Sequence, residues 1–196
     1  MAEPRPKYET EVAQDVTELA MLIALFKREA VKSYLEVGSR YGGSLWKIAR
    51  SLPAGSRIVA VDMPGGFGGR SDGREVLDAC VQELVRLGYD ASVIWGSSTD
   101  PDVIAKVAPL APFDAVFIDA DHTLAAATSD WNNYGEMARI VAFHDIAWSR
   151  DARWKGTLIE VPQLWKKLKS RHKHEEYRVH PSGKDNGIGV LWRNLD

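Results

Sequence analysis

The stretch Tyr34-Leu35-Glu36-Val37-Gly38-Ser39-Arg40-Tyr41-Gly42-Gly43-Ser44 decides how this 196-residue chain folds. A short apolar run enters a glycine turn, a helical pattern follows, and the next apolar run, Arg57–Asp62, stops at an aspartate. A strand, a glycine turn, a helix and an acidic strand end build a nucleoside pocket at the carboxyl edge of a parallel sheet. The dinucleotide fingerprint needs glycine at its first, third and sixth positions, which here are Gly38, Arg40 and Gly43. The arginine obstructs close backbone approach to a pyrophosphate and argues against a nicotinamide oxidoreductase. Ser44 stands where a phosphate-binding loop carries lysine. The turn therefore suits a ligand with a ribose and no polyphosphate.

Working outward, apolar residues recur at helical spacing over residues 12–30, at Val12, Val16, Leu19, Ala20, Ile23 and Phe26. Residues 1–10 are polar, carry Pro4 and Pro6, and are expected to form a loose arm. Strands are expected at Ser33–Val37, Arg57–Asp62 and residues 92–95, 113–119 and 139–146. Between them lie helical patterns at residues 44–51, from Val76 to near Gly88, at Pro101–Val107 and at residues 124–137. Residues 64–73 are glycine-rich and read as a loop, of which Gly65–Arg70 lies on the pocket edge and closes as a lid, with Ser71 or Asp72 capping the next helix. A basic amphipathic helix over residues 162–171 precedes two strands at 176–180 and 187–192. Alternating strands and helices predict a parallel sheet covered on both faces, and the closing hairpin adds an antiparallel strand. One domain spanning residues 1–196 is expected.

Apolar content of 45%, charged content of 27% and a net charge of −2 describe a globular chain without the basic field that nucleic acid or a membrane surface attracts. The lone Cys80 forms no intramolecular disulfide, lies on the apolar face of a helix and reads as a buried, inert thiol. No apolar run reaches membrane-spanning length, and the polar start does not read as a signal peptide, so a cytoplasmic protein is expected.

The ordered strand ends Glu36 to Ser44, Asp62, Ile118-Asp119-Ala120-Asp121-His122, Phe143-His144-Asp145 and Gly187-Ile188-Gly189-Val190 resemble the class I S-adenosylmethionine-dependent methyltransferases. Within that class the chain looks most like the small bacterial group that includes metal-dependent O-methyltransferases of antibiotic sugars and cephalosporin hydroxylase-like proteins. The resemblance covers about residues 15–195. It implies a three-layer Rossmann-like fold with a mostly parallel seven-stranded sheet and a C-terminal antiparallel hairpin. One departure is Gly135-Glu136-Met137-Ala138-Arg139, where the family carries Pro-Gly-Gly before its fifth strand.

By this resemblance, Gly38, Ser39, Tyr41 and Gly43 flank S-adenosylmethionine, and Ser44 holds the methionine carboxylate at a helix N-terminus. Glu36 would sit beneath the turn and bond backbone or the methionine ammonium. Asp62 would accept the ribose hydroxyls and Met63 would pack on the adenine. Ser97 and Ser98 would meet the adenine edge, and Asp119 would border the cofactor.

Asp119, Asp121, His122, His144 and Asp145 form a second constellation; adjacent parallel strands end side by side, so Asp119 and the His144-Asp145 pair should converge. Asp119, His144 and Asp145 are candidate ligands for Mg²⁺. The metal-dependent relatives carry an acidic pair where this chain has His144-Asp145, so imidazole-tolerant Mn²⁺ or Fe²⁺ is admitted, as is a metal-free site. Asp119, His122 and His144 are the candidate catalytic residues, with either histidine as general base. The plainer readings are a helix cap for Asp121 and backbone bonds for His122 and Asp145. Trp148 and Trp154, with Arg150, Asp151 and Arg153, are candidates for an acceptor pocket, while the basic run at residues 166–173 reads as a solvated helix face.

The expected activity is O-methylation of a small-molecule hydroxyl. A hydroxylase-like relative and a non-catalytic S-adenosylmethionine-binding module are the alternatives. The short N-terminal arm is expected to leave the pocket to a neighbouring subunit, hence a homo-oligomer.

Overall fold

The computed structural model describes residues 5–65, 73–149, 151–154, 156–179 and 186–193. Residues 66–70 of the expected lid at 65–70, the cap candidates at 71 and 72, and residues 181–185 of the expected loop at 181–186 lie outside them. In chain order the elements are α1 (Lys7–Thr10), α2 (Val16–Arg28), β1 (Ser33–Val37), α3 (Gly43–Ala49), β2 (Arg57–Asp62) and α4 (Gly73–Arg86). Then come β3 (Asp90–Trp95), α5 (Pro101–Val107), β4 (Phe113–Ile118), α6 (Leu124–Tyr134) and β5 (Ala138–Phe143). The chain closes with β6 (Arg153–Trp154), β7 (Thr157–Leu158), α7 (Val161–Lys169), β8 (Lys173–Tyr177) and β9 (Ile188–Trp192).

Seven strands form one sheet in the order β3-β2-β1-β4-β5-β9-β8. The first five are parallel; β9 runs antiparallel to β5, and β8 antiparallel to β9. The expected Rossmann-like architecture and its closing hairpin are both present. The chain lays β1, β2 and β3 outward in one direction, then returns to place β4 on the other side of β1. That reversal opens a crevice between the carboxyl ends of β1 and β4.

Side chains alternate across each strand, so every central strand feeds two cores. Tyr34, Ile58, Ala60, Phe117 and Ala142 pack with α1 to α4 on one face. Leu35, Val59, Val116, Val141 and Phe143 pack with α5 to α7 on the other. This double burial is why β1, β2, β4 and β5 read as near-continuous apolar runs.

Several boundaries differ from the sequence expectation. Residues 12–30 do not form one helix: Asp15 caps α2, accepting hydrogen bonds from the Thr17 and Glu18 amides at 2.7 and 3.2 Å. The expected loose arm contains α1, whose buried Tyr8 packs on Trp46 with ring centroids 5.1 Å apart. α6 ends at Tyr134, and a 3₁₀ turn at Gly135–Met137 replaces Pro-Gly-Gly and leads into β5. β8 lies at residues 173–177 rather than 176–180, because this edge strand is built from charged residues and has no apolar signature. The short β6–β7 hairpin was not expected from the sequence. Cys80 is fully buried, and burial pushes its thiol up to about 12, as an inert core thiol requires.

Candidate active site

A cavity of about 620 Å³ occupies the crevice at the carboxyl ends of the parallel strands. One wall is the turn after β1, where Gly38 has φ +93° and a Cβ would stand 2.2 Å from the Asp119 carbonyl oxygen. Glycine is required because this turn backs directly onto the end of β4. Ser39, Arg40, Tyr41, Gly43 and Ser44 also line the cavity. The Lys7 ammonium and the Arg40 guanidinium lie over the Tyr41 ring, 4.5 and 4.8 Å from its centroid.

One expectation for this turn needs correction. Glu36 is fully buried and does not line the cavity. It accepts hydrogen bonds from the Tyr34 hydroxyl at 2.5 Å and the Ser44 hydroxyl at 3.0 Å. Burial pushes its carboxyl up to about 7, against the pull of those bonds. Glu36 is thus a support beneath the turn rather than an ammonium receptor. Ser44 lines the cavity at the start of α3, where it was expected, while its hydroxyl donates to Glu36.

Asp62 lines the cavity at the end of β2. Its carboxylate accepts from the Met63 amide at 2.6 Å and from the Arg40 amide, so it is fixed in orientation. Burial raises its pKa while these bonds oppose the shift. Met63, 41% exposed, stands at the rim. Ser97 and Ser98 follow β3 on the same wall; the Ser98 carbonyl accepts the Tyr134 hydroxyl at 2.7 Å.

At the other end of the cavity the ends of β4 and β5 meet as expected. His144 Nδ1 lies 3.1 Å from Asp119 Oδ1 and 3.3 Å from Asp145 Oδ1. Asp145, in the left-handed region at φ +64°, turns its other oxygen to His122 Nδ1 at 2.8 Å and accepts from Trp148 Nε1 at 2.7 Å. Burial opposes a charge on His144, but Asp119, Asp145 and Glu18 outweigh it and push its pKa up to about 9. Burial likewise opposes a charge on His122, yet its bond to Asp145 and the Asp119 charge raise its pKa. Burial disfavours the Asp145 carboxylate, but bonds from His122 and Trp148 and the two imidazoles hold it below the usual range. Asp121 accepts from the Thr123 amide at 2.8 Å, supporting the turn into α6 while lining the cavity.

Asp119, His144 and Asp145 each offer a ligand atom within 4.8 Å of the others. Separations of 3.1 and 3.3 Å are close to the ~3 Å expected between neighbouring ligands of an octahedral ion bound at ~2.1 Å. The donor set of two carboxylates and one imidazole fits a divalent cation that tolerates nitrogen.

The sequence reading missed one side of the site. Residues 10–14, between α1 and α2, form a strap along the cavity. It presses on α3 so closely that a Cβ on Gly43 would stand 1.9 Å from the Glu11 carbonyl oxygen. Gln14 Nε2 donates to Asp119 Oδ2 at 2.5 Å. The chain itself lines this flank of the cavity. Behind it, the buried Glu18 accepts from the Val179 amide at 3.2 Å, and burial raises its pKa. Among the described residues, Glu18 Oε2 and His144 Nε2 are buried without partners. The Asp15-Val16-Thr17-Glu18 capping pattern was the available signal: it starts α2 at Val16 and frees the preceding residues as a strap.

Of the expected acceptor residues, Trp148 lines the cavity. Arg153 bonds the Gly156 carbonyl at 2.9 Å on the surface, and Asp151 is exposed. Arg150 and the side chain of Trp154 lie outside the described residues. Lys166 and Lys167 are solvated, and Lys169 pairs with Glu176 at 2.6 Å.

A Rossmann-like sheet puts a ligand crevice at its topological switch point, here with a carboxylate at the end of β2 and an acid–imidazole cluster at the ends of β4 and β5. Residues 35–146 match a family model described as a methyltransferase domain, and the chain belongs to that family. Two solved structures share the fold. The O-methyltransferase from Bacillus cereus, solved with SAH, is 21% identical with a TM-score of 0.66, over 93% of this chain and 84% of that one. The O-methyltransferase TomG from Streptomyces achromogenes, involved in tomaymycin synthesis and solved with SAM, is 18% identical with a TM-score of 0.67, over 94% and 83% of the two chains. No curated protein matches the chain. The expected class I methyltransferase architecture is borne out. No helix among the described residues is long and apolar enough to cross a membrane.

Proposed function

We propose that this protein transfers the methyl group of S-adenosylmethionine to a hydroxyl oxygen of a small molecule. The carrying observation is that one cavity has Asp62 on one wall and the Asp119–His122–His144–Asp145 cluster on another. Asp62, held by two amides, accepts the ribose hydroxyls; Ser97, Ser98 and Met63 border the base; the Gly38–Gly43 turn flanks the amino-acid end. The acceptor enters beside Trp148 and the cluster.

The transfer is an in-line displacement in which the methyl–sulfur bond breaks as the oxygen–methyl bond forms, leaving S-adenosylhomocysteine. His122, oriented through Nδ1 by Asp145 at 2.8 Å, takes the hydroxyl proton as general base. Asp119, His144 and Asp145 would hold a divalent cation, and that ion would lower the pKa of the acceptor hydroxyl. The half-buried Trp148–Asp145 bond keeps the proton-accepting pair fixed.

Calorimetry with S-adenosylhomocysteine, S-adenosylmethionine and NAD, with and without Mn²⁺, tests the cofactor assignment. Binding of both adenosyl compounds and not of NAD is expected. Preferential binding of NAD would overturn it. Label transfer from methyl-labelled S-adenosylmethionine to a panel of sugars and phenols then tests the acceptor class.

A further inference from the structure

We infer that Gln14 is a positioning residue for the cation: its side-chain amide holds Asp119 so that the carboxylate offers the ion one oxygen and not two. The inference rests on the cation reading above and deepens it. Gln14 stands in the cavity wall, is only 6% exposed, and donates through Nε2 to Asp119 Oδ2 at 2.5 Å. The other oxygen, Oδ1, faces His144 Nδ1 at 3.1 Å. Asp119 is therefore gripped from two sides. Its main chain is fixed as well, since its amide donates to the Val37 carbonyl at 2.8 Å. Removing the Gln14 amide would free the carboxylate to turn about its last torsion and bring both oxygens toward His144.

The second carboxylate of the trio is arranged in the same way. Asp145 turns Oδ1 to His144 Nδ1 at 3.3 Å and Oδ2 to His122 Nδ1 at 2.8 Å, and Oδ1 also accepts from Trp148 Nε1 at 2.7 Å. Each acid thus keeps one oxygen beside the His144 imidazole and has the other engaged outside the trio. Asp119 Oδ1, Asp145 Oδ1 and His144 Nδ1 are single donor atoms, and they leave the remaining positions of an octahedral ion to water and acceptor oxygens. Such a set suits a small ion bound at ~2.1 Å that tolerates nitrogen. Ca²⁺ takes about six to eight oxygens at ~2.3–2.6 Å and is better served by a carboxylate that chelates through both oxygens. Hydrogen bonds to a ligating carboxylate set its orientation, and losing one ordinarily costs ~10–100-fold in metal affinity. The strap that carries Gln14 is anchored on both sides, by Tyr8 against Trp46 and by Asp15 capping α2, so the amide is in place before any ion arrives.

The test measures Mn²⁺ affinity by electron paramagnetic resonance and Ca²⁺ affinity by calorimetry on the wild type, Gln14→Met and Tyr8→Leu. Methionine keeps the length of glutamine and removes the donor, whereas Tyr8→Leu loosens the anchor of the strap and leaves the amide. Gln14→Met is expected to lose ~10–100-fold in Mn²⁺ affinity while its Ca²⁺ affinity changes less than about threefold, so the preference for Mn²⁺ narrows. Tyr8→Leu is expected to keep its Mn²⁺ affinity within about threefold of the wild type. A ratio between two ions on one protein does not respond to a general loss of stability. An unchanged ratio in Gln14→Met overturns the inference and leaves the cation reading intact. An equal loss of Mn²⁺ affinity in Tyr8→Leu assigns the effect to the strap as a whole and overturns it too. A wild type that binds no Mn²⁺ removes the cation reading itself and this inference with it.

Discussion

His144 Nδ1 and Asp119 Oδ1 lie 3.1 Å apart, bridging the ends of β4 and β5. The bridge follows from parallel register: Ile118 pairs with Phe143, so the residues that follow each emerge at the same height. The backbone repeats the link, since the His144 amide donates to the Ile118 carbonyl at 3.2 Å. Titratable side chains gather where these two strands stop together.

Removing Asp62 should weaken adenosyl ligands. Asp62→Ala deletes the acceptor assigned to the ribose and also releases the Arg40 and Met63 amides. Affinity for S-adenosylhomocysteine is expected to fall by about 1–3 kcal/mol. Calorimetry measures this directly; an unchanged constant removes Asp62 from the site.

His122→Gln should separate binding from chemistry. The glutamine cannot act as a base at neutral pH, and turnover is expected to drop about 10²–10⁴-fold. Affinity for S-adenosylhomocysteine should change less than about threefold. Full turnover in this variant would reassign the base.

Asp145→Ala removes one member of the cation-binding trio together with the partner of His122 and Trp148. Binding of Mn²⁺, followed by the loss of its free-ion electron paramagnetic resonance signal, should disappear in the variant and saturate near one ion per wild-type chain. Wild-type protein that leaves the Mn²⁺ signal unchanged would show that the trio is not a metal site.

A pH prediction comes from Asp130, which is fully buried and carried on α6 behind Ser98. Burial pushes its carboxyl up to about 7, opposed by the Ser98 hydroxyl. A carboxyl whose folded pKa exceeds its unfolded one contributes full stability below the unfolded value. That contribution is lost as pH rises through the folded value. Wild-type stability should therefore decline between about pH 4 and pH 7 from this group. Asp130→Asn should gain on the wild type at pH 8, by at most ~4 kcal/mol, with the difference closing toward pH 4. Thermal melts of both proteins across that range would refute the assignment if their curves ran parallel.

Gly38→Ala should damage fold and site together. At φ +93° an alanine is strained, and its Cβ would collide with the Asp119 carbonyl at 2.2 Å. A loss of several kcal/mol is expected in denaturant unfolding, with adenosyl binding abolished. A variant as stable as the wild type would mean that the turn moves away from β4 at little cost.

Much of the site was legible from spacing alone. Gly38, Asp62, Asp119, His144 and Asp145 each stand at or just past the end of an apolar run, and parallel strands bring such positions to one edge. Glu36 was placed correctly beneath the turn, but the sequence did not show that it would meet Tyr34 and Ser44. Nothing in the local sequence says that these side chains meet one another beneath the turn. Gln14 and Glu18 fall within the single helical pattern expected over residues 12–30, and the sequence reading gave them no role. Their roles depend on contacts with Asp119, 105 residues away, and with Val179, 161 residues away.

By itself the sequence determined the alternation of strands and helices, the parallel sheet and the identity of the strand-end acids. These follow from periodic burial and from glycine's freedom at a tight turn, both of which are written in consecutive residues. The tertiary structure alone decided which polar groups face the cavity, which are spent on one another, and that the strap at residues 10–14 closes one flank. Those outcomes are set by distances between segments far apart in the chain, where a shift of an ångström or two decides whether a carboxylate meets a hydroxyl, an imidazole or a ligand.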